Sequence, residues 1–242
     1  MNILTVALFV RASITTRKEN VHTTHERERE LKTAKRVKGH TRYKNKEGKV
    51  VPGVSTIVNQ LDKPYLINWA NKLGLEGIES SKLVGMAQDI GTLAHHMIEC
   101  NLTGRSYELD EQAPDIINAA SKAFDSYADW GAVQDNLQVI AVEEKVVDEE
   151  WQYGGTLDLV CDIGGRRTLV DFKTGSGIYF GNKVQVAAYK HLVPVDEVRI
   201  VRVGREGGQY EEHVLTDTDR YFELFCHLRE VYTLQKKLNQ GV

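Results

Sequence analysis

Two aspartates and one lysine lie within hydrophobic segments near the middle of this chain of 242 residues. Asp158 closes the run Gly-Gly-Thr-Leu-Asp, and Asp171 and Lys173 enclose Phe172 in the run Leu-Val-Asp-Phe-Lys-Thr. Charged side chains are rarely buried unless they are paired. These residue types suit chemistry that needs two carboxylates and one ammonium group at the same place.

The spacing brings these side chains together if both runs are strands. Asp171 and Lys173 would then point to the same face, about 7 Å apart along the strand. The pair Gly164-Gly165 predicts a hairpin turn between the two strands, which would bring Asp158 near Asp171. Two carboxylates in a half-buried sheet repel each other unless a proton or a cation lies between them.

A divalent metal ion is the simplest counter-charge for the two carboxylates. Mg²⁺ binds a few carboxylate oxygens together with water and phosphate oxygens. Beside a bound phosphodiester, the Lys173 ammonium would stabilise the charge that develops on the phosphorus oxygens during hydrolysis. The alternative is structural: a buried Asp171–Lys173 pair that only cancels its own charge.

Further candidates precede the two aspartates. His95 follows Gly91 by one turn on a predicted helix, and Glu99 would lie one turn later on the same face. A single helical histidine is also a common surface or core residue. Glu143 and Glu144 alternate on a predicted strand, so one should face the polar pocket and the other solvent. We favour Glu143 for the pocket.

Gln185 and Tyr189 are separated by one turn of a predicted helix that follows Lys173. Their amide and phenol groups would share one face, where they could grip a nucleic-acid strand or brace the lysine. The alternative is an ordinary helix surface.

Hydrophobic periodicity and turn residues predict the elements that position these residues. We expect a short helix capped by Ser55 and a following helix that begins at Pro64. The full set is a hairpin over 42–51, helices over 64–74, 82–102, 114–131, 184–193 and 221–238, and strands over 139–147, 156–163, 168–172, 198–203 and 210–214. This order predicts an α/β fold in which a central mixed β-sheet, an antiparallel meander plus helix-linked strands, is flanked by helices.

Composition limits the class of protein. The chain is 41% hydrophobic and 27% charged, which is typical of a soluble globular domain. Its three cysteines are too few for a disulfide framework or a four-cysteine metal site, so a reducing compartment is expected.

The N-terminal part differs in charge from the rest. Residues 1–50 hold 13 Lys and Arg against 5 Glu, although the whole chain has a net charge of −3. We predict a basic, flexible tail over residues 1–40, solvated or attracted to phosphate, and a folded domain over 41–242. The apolar run 3–10 is too short to span a bilayer, so no membrane partner is expected; an organellar transit peptide is a weaker alternative.

Taken together, these residues resemble the motifs of the PD-(D/E)XK nucleases, in particular of their RecB-like and phage exonuclease branch. The resemblance runs from residue 42 onward and implies a restriction-endonuclease-like core and a nuclease domain over 41–242. The matching elements, in order, are Gly91-x-x-x-His95, Glu143, Gly155-Thr156-Leu157-Asp158, Asp171-Phe172-Lys173-Thr174 and Gln185-x-x-x-Tyr189.

The resemblance implies a metal site in this chain. Its ligands would be His95, Asp158, Asp171 and the Phe172 carbonyl, with Glu143 as a second-metal or outer contributor. Mg²⁺ is the implied cofactor, and Mn²⁺ would substitute for it.

Lys173 would be the catalytic lysine, acting with Asp171, Asp158 and Glu143, while Gln185 and Tyr189 would contact substrate or order the site. Leu157 stands where the family name has proline, which is a common difference in the RecB-like branch. The four cysteines that hold an iron–sulfur cluster in some relatives are missing, so this cofactor is not expected.

The implied function is that of a metal-dependent deoxyribonuclease, an exonuclease rather than an endonuclease, in DNA recombination, repair or phage DNA processing. DNA would be the partner, with a homo-oligomer or a recombination protein as further candidates, in the cytoplasm of a bacterium or phage-infected cell. One alternative is an inert nucleic-acid-binding module on the same fold. Another is a nucleotide-binding loop over 175–181, whose GxGxxxG spacing differs from GxGxxG.

Overall fold

The structure is a computed structural model that describes residues 41–107, 109 and 112–241. The predicted basic tail over residues 1–40 lies outside the described residues. In chain order the elements are β1 (Tyr43–Lys44), β2 (Val50–Val51), α1 (Val54–Val58), α2 (Pro64–Leu75), α3 (Ser80–Thr103), α4 (Pro114–Ala132), β3 (Gln138–Asp148), β4 (Tyr153–Ile163), β5 (Arg166–Lys173), α5 (Phe180–Leu192), β6 (Glu197–Arg202), β7 (Glu211–Val214) and α6 (Thr218–Asn239).

Five strands form one mixed sheet in the order β3-β4-β5-β6-β7. β3, β4 and β5 are antiparallel neighbours. The turn between β4 and β5 has positive φ values of 58° and 82° at Gly164 and Gly165, a conformation that favours glycine. β5 and β6 are parallel because α5 carries the chain back across the sheet, and β7 is antiparallel to β6. The predicted α/β fold with a central mixed sheet is confirmed.

Helices bury both faces of the sheet. On one face α3 and α4 form the α3–α4 core, where Trp130 and Tyr127 meet Phe172 edge-on at ring distances of 5.5 and 5.4 Å. On the other face α1, α5 and α6 form the α5–α6 core, where Tyr153 meets Phe225 at 4.8 Å. As a result, every residue of β4 and every residue of β5 from Thr168 onward is buried or half-buried.

Four helices begin at residues other than those predicted; α3 and α6 begin slightly earlier, at Ser80 rather than 82 and at Thr218 rather than 221. Ser55 does not cap the first helix: α1 begins at Val54, after the extended residue Gly53. α5 begins at Phe180, before the predicted start at residue 184. The reason is a capping box in which the Tyr179 backbone N–H donates to Oδ1 of Asn182 at 2.8 Å, which satisfies a group that the helix itself leaves unpaired.

None of the helices in residues 41–107 and 112–241 is long and apolar enough to cross a bilayer.

Candidate active site

A close approach between α3 and the end of β5 places His95 over the sheet. An ideal β-carbon built at Gly91 would lie 3.2 Å from Oγ1 of Thr174, the residue after β5. A side chain at this point would contact Thr174 more tightly than an ordinary van der Waals contact, so glycine suits the close approach. Because His95 follows Gly91 by about one helical turn, its ring is brought to the strand ends.

Three potential metal ligands converge beneath α3. Nδ1 of His95 lies 3.6 Å from Oδ1 of Asp158 and 3.9 Å from Oε1 of Glu143. One ligand atom from each of these residues lies within 4.8 Å of the other two, and among the described residues no other such group of three is found. The three side chains are 28%, 13% and 32% exposed, in the order named, so a ligand from solvent can reach them.

The backbone of β3 is distorted at Glu143. Its φ of 49° lies in the left-handed region that residues other than glycine rarely adopt. At the same level β4 changes face: Leu157 lies in the α5–α6 core, whereas Leu159 lies in the α3–α4 core. In a regular strand these two positions would face the same side. Glu143 and Asp158 therefore lie together where both strands depart from regular geometry.

The choice of Glu143 over Glu144 agrees with this geometry. Glu143 is half-buried and lies against His95, whereas Glu144 is exposed.

The sheet opens between β4 and β5 beyond Leu159 and Val170, which are the last paired residues of these two strands. In the opening, Oδ2 of Asp158 accepts a hydrogen bond from the Phe172 backbone N–H at 2.8 Å. The N–H and C=O of one strand residue point to the same edge. The Phe172 carbonyl therefore faces the same opening as the Asp158 carboxylate.

Asp171 and Lys173 form an ion pair beside the triplet. Nζ of Lys173 lies 2.6 Å from Oδ2 of Asp171, whose side chain is only 2% exposed, while that of Lys173 is 20% exposed. Asp171 was expected to share one ion with His95 and Asp158. In this structure its carboxylate is turned to the lysine and is not a member of the compact triplet.

The charges of these side chains depend on one another. Burial lowers the pKa of His95, but the Asp158 and Glu143 carboxylates outweigh burial and raise this pKa to about 10. Burial raises the pKa of Asp171 to about 6, although Lys173 opposes the change. For Lys173, burial lowers the pKa and the Asp171 carboxylate raises it, with a net increase. Without a metal ion, both His95 and Lys173 therefore carry protons at neutral pH.

The donor set fits a hard divalent cation. Mg²⁺ ligands lie 2.0–2.1 Å from the ion, so two opposite ligand atoms are about 4.2 Å apart. The observed separations of 3.6 and 3.9 Å fall within that limit. The carboxylates of Glu143, Asp158 and Asp171 together with the Lys173 ammonium carry a formal charge of −2, which one divalent ion would balance.

Gln185 and Tyr189 form a hydrogen bond with each other. Nε2 of Gln185 donates to the Tyr189 hydroxyl at 2.8 Å, and the tyrosine is 7% exposed. Its ring lies against Gly155, where an ideal β-carbon would be 2.5 Å from Cε1. Of the two predicted roles, substrate contact or ordering of the site, this burial favours ordering for Tyr189.

Tyr43 is a residue of this region that the sequence did not reveal. Its hydroxyl lies 2.9 Å from Oγ1 of Thr156, and its ring fills the space beside Gly154. Gly154 and Gly155 thus accommodate a tyrosine ring on each face of β4. The adjacent glycines in the sequence indicate that another group packs closely there, but they do not identify which distant residue it is.

Glu99, one turn after His95 on α3, is not a member of the His95, Glu143 and Asp158 triplet. Its carboxylate lies 3.4 Å from Nδ1 of His96 and contacts the Arg105 guanidinium. The left-handed residue Gly104 ends α3 and turns the chain so that Arg105 can reach back to Glu99.

Comparison with known proteins gives no match to a family model and none to a curated protein. Among solved structures, the chain is similar to the crystal structure of SSO0001, with a TM-score of 0.34 and 14% identity over 52% of this chain. It spans 63% of the length of that protein's chain. It is also similar to the crystal structure of LHK-Exo in complex with dAMP, with a TM-score of 0.33 and 11% identity, covering 64% of this chain and 91% of that one.

Proposed function

We propose that this protein is a metal-dependent nuclease that hydrolyses DNA phosphodiester bonds, with residues 41–242 as a PD-(D/E)XK nuclease domain of the RecB-like or phage exonuclease branch. One observation carries the proposal: the His95, Glu143 and Asp158 triplet lies beside the Asp171–Lys173 ion pair at one opening of the sheet. Such a set of carboxylates, imidazole and ammonium suits metal-assisted phosphodiester hydrolysis.

The ligands proposed for Mg²⁺, or for Mn²⁺ in its place, are His95, Asp158, Asp171 and the Phe172 carbonyl. The short distance from Glu143 to His95 supports Glu143 as a further contributor. When bound, the ion would supply Lewis-acid polarisation and a positive charge near the phosphate. Asp158 would also hold the Phe172 backbone through its second oxygen, which fixes the strand that carries Asp171 and Lys173.

Lys173 is proposed as the catalytic lysine. Its raised pKa keeps it protonated at neutral pH, so it would act as a cation and hydrogen-bond donor toward the phosphate. Its partly exposed ammonium can meet substrate while Asp171 restrains it from one side. Asp171 would therefore both orient the lysine and add negative charge for metal binding.

The remaining assignments concern substrate and setting. Gln185 is half-buried and is proposed to contact DNA, with Tyr189 holding it in place. DNA recombination, repair or phage DNA processing by an exonuclease is the proposed activity, with a homo-oligomer or a recombination protein as candidate partners. Cys100, Cys161 and Cys226 are free thiols, which supports the reducing cytoplasm of a bacterial or phage-infected cell as the compartment.

The test is cleavage of end-labelled linear DNA by the full chain with Mg²⁺ or Mn²⁺. Asp158→Asn and Lys173→Ala should each lower the rate by at least about a hundredfold while DNA binding persists. Glu144→Gln is the matched control, because it removes a neighbouring carboxylate that faces solvent, and it should cleave like the wild type.

Each other outcome rejects the proposal in a different way. Cleavage that survives both site variants would remove the proposed site. DNA binding without cleavage under either metal would identify an inert binding module on this fold. ATP binding without affinity for DNA would identify the glycine-rich loop over 175–181 as the functional element.

A further inference from the structure

An exposed set of aromatic side chains lies beside the loop that leaves the candidate active site. Tyr65 and Trp69 are one turn apart on α2 and are 48% and 39% exposed. Tyr179, at the start of α5, is 43% exposed. We name Tyr65, Trp69 and Tyr179 the aromatic ledge.

The ledge is held in place although it faces solvent. The rings of Tyr65 and Tyr179 are stacked, with centroids 5.7 Å apart and planes only 10° from parallel. The Tyr179 hydroxyl lies 2.6 Å from Oγ of Ser176, which restrains the ring in the loop. A rigid aromatic stack loses little entropy when a further flat ring is added to it.

The helix that carries Tyr65 and Trp69 has a positive charge of its own. α2 (Pro64–Leu75) contains Lys72 and no aspartate or glutamate, with Asp62 and Lys63 before it and Glu76 after it. The Lys72 side chain also lies in the last turn of α2. Flat aromatic faces together with positive charge match the bases and phosphates of a nucleic-acid strand.

The ledge is within reach of the catalytic lysine. Tyr179 follows Lys173 by six residues, and six residues span at most about 20 Å. A strand whose phosphate lies at Lys173 could therefore place a base only a few nucleotides away against Tyr179. The ledge therefore lies close enough to the site for one bound strand to contact both.

From these observations we propose that the aromatic ledge stacks unpaired bases of the nucleic-acid strand that enters the active site, so that the substrate is single-stranded or has a single-stranded end. In a duplex the bases are stacked on one another and their faces are not available to protein rings. The inference rests on the proposed nuclease function, because it identifies the form of strand that this site accepts.

Fluorescence anisotropy of the full chain in EDTA tests the proposal without cleavage. The probes are a labelled oligothymidylate, the same strand with abasic sites, and a duplex of equal length. Tyr65→Ala and Tyr179→Ala should each weaken oligothymidylate binding roughly 5- to 150-fold, the range for loss of one stacked base. Binding to the abasic strand should not change, because that strand keeps its phosphates and lacks bases.

Two further sets of variants separate stacking from folding and from general hydrophobicity. Tyr65→Phe and Tyr179→Phe keep the rings and should bind like the wild type. Leu234→Ala removes an apolar side chain that is 59% exposed on α6, away from the ledge, and should have no effect. Circular dichroism of each variant checks that the fold is intact.

Several results would overturn the inference. Unchanged oligothymidylate affinity in both alanine variants would do so. An equal loss of affinity for the abasic strand would also do so, as would a wild-type protein that binds duplex more tightly than oligothymidylate. If the alanine variants instead dissociate an oligomer in sedimentation, the ledge is an interface between copies of the chain. If the wild type cleaves DNA but the alanine variants bind oligothymidylate normally, the inference about the ledge fails and the nuclease function stands. If the alanine variants lose binding but the wild type shows no metal-dependent cleavage, the nuclease function fails and the ledge remains a surface that binds nucleic acid.

Discussion

Replacing Gly155 with alanine should destabilise the fold, because a β-carbon at this position overlaps the Tyr189 ring. An ideal β-carbon lies 2.5 Å from Cε1 and 2.9 Å from Cδ1 of that ring. Carbon atoms pack at about 3.5–4.0 Å, so the overlap is about 1 Å. The ring is buried and its hydroxyl accepts a hydrogen bond from Gln185, so it cannot move aside without disturbing its neighbours.

The expected cost combines two opposing effects of the added methyl group. Overpacking of a core costs about 1–3 kcal/mol. The less flexible unfolded chain of the alanine variant returns about 0.4–1 kcal/mol. We expect the free energy of unfolding to fall by about 1–2 kcal/mol, which corresponds to a decrease in Tm of about 2–8 °C for a chain of this size.

Urea unfolding followed by circular dichroism measures this change. Gly155→Ala should cost less in a Tyr189→Leu background, because the smaller side chain removes the overlap, and a double-mutant cycle gives the coupling. Gly175→Ala is the control: the nearest atom to its ideal β-carbon is 3.9 Å away, so its stability should change little. An unchanged unfolding midpoint for Gly155→Ala, or no coupling to Tyr189, would refute the packing account.

Two other perturbations test the charges of the site and the core beneath it. Because the pKa of His95 is about 10 without metal, the proposed Mg²⁺ ion would have to displace a proton, and its apparent affinity should rise up to about tenfold per pH unit between about pH 7 and 9. Isothermal titration calorimetry measures this slope, which should vanish in His95→Gln; a flat wild-type profile would contradict the proton displacement. Trp130→Ala should lower the free energy of unfolding by about 3–5 kcal/mol, because the indole is fully buried against Phe172. Thermal unfolding measures this loss, with His227→Ala as the control because its exposed ring should contribute little to stability. Equal unfolding midpoints for the two variants would contradict the predicted loss.

The part of the fold that could be predicted from sequence depends on local rules. The Gly164-Gly165 turn fixes the pairing of β4 with β5, and this pairing brings Asp158 to Asp171 as expected. Residue alternation likewise places Asp171 and Lys173 close together. Short-range periodicity and one tight turn therefore sufficed for the centre of the site.

Other parts depend on contacts between residues far apart in sequence. Tyr43 packs against Gly154, more than a hundred residues later, and no local pattern identifies that partner. For Glu99, helical spacing predicts its position one turn after His95, but it does not predict that Arg105 returns after Gly104 to contact it. In each case chain reversal or packing determines the contacts of a side chain, and sequence periodicity does not predict either of them.

Glu143 shows why the site itself resists prediction by alternation. A regular strand would put neighbouring glutamates on opposite faces without saying which face is the pocket, and β3 is not regular there. A φ of 49° in a residue other than glycine costs roughly 1–3 kcal/mol and persists only where surrounding structure enforces it. The adjacent strand β4 supplies that enforcement, since Val142 and Glu144 keep their pairing with it on either side of the distortion. The same distortion brings a third ligand to His95 and Asp158, so the departure from ideal strand geometry and the capacity to bind a cation arise from one backbone feature.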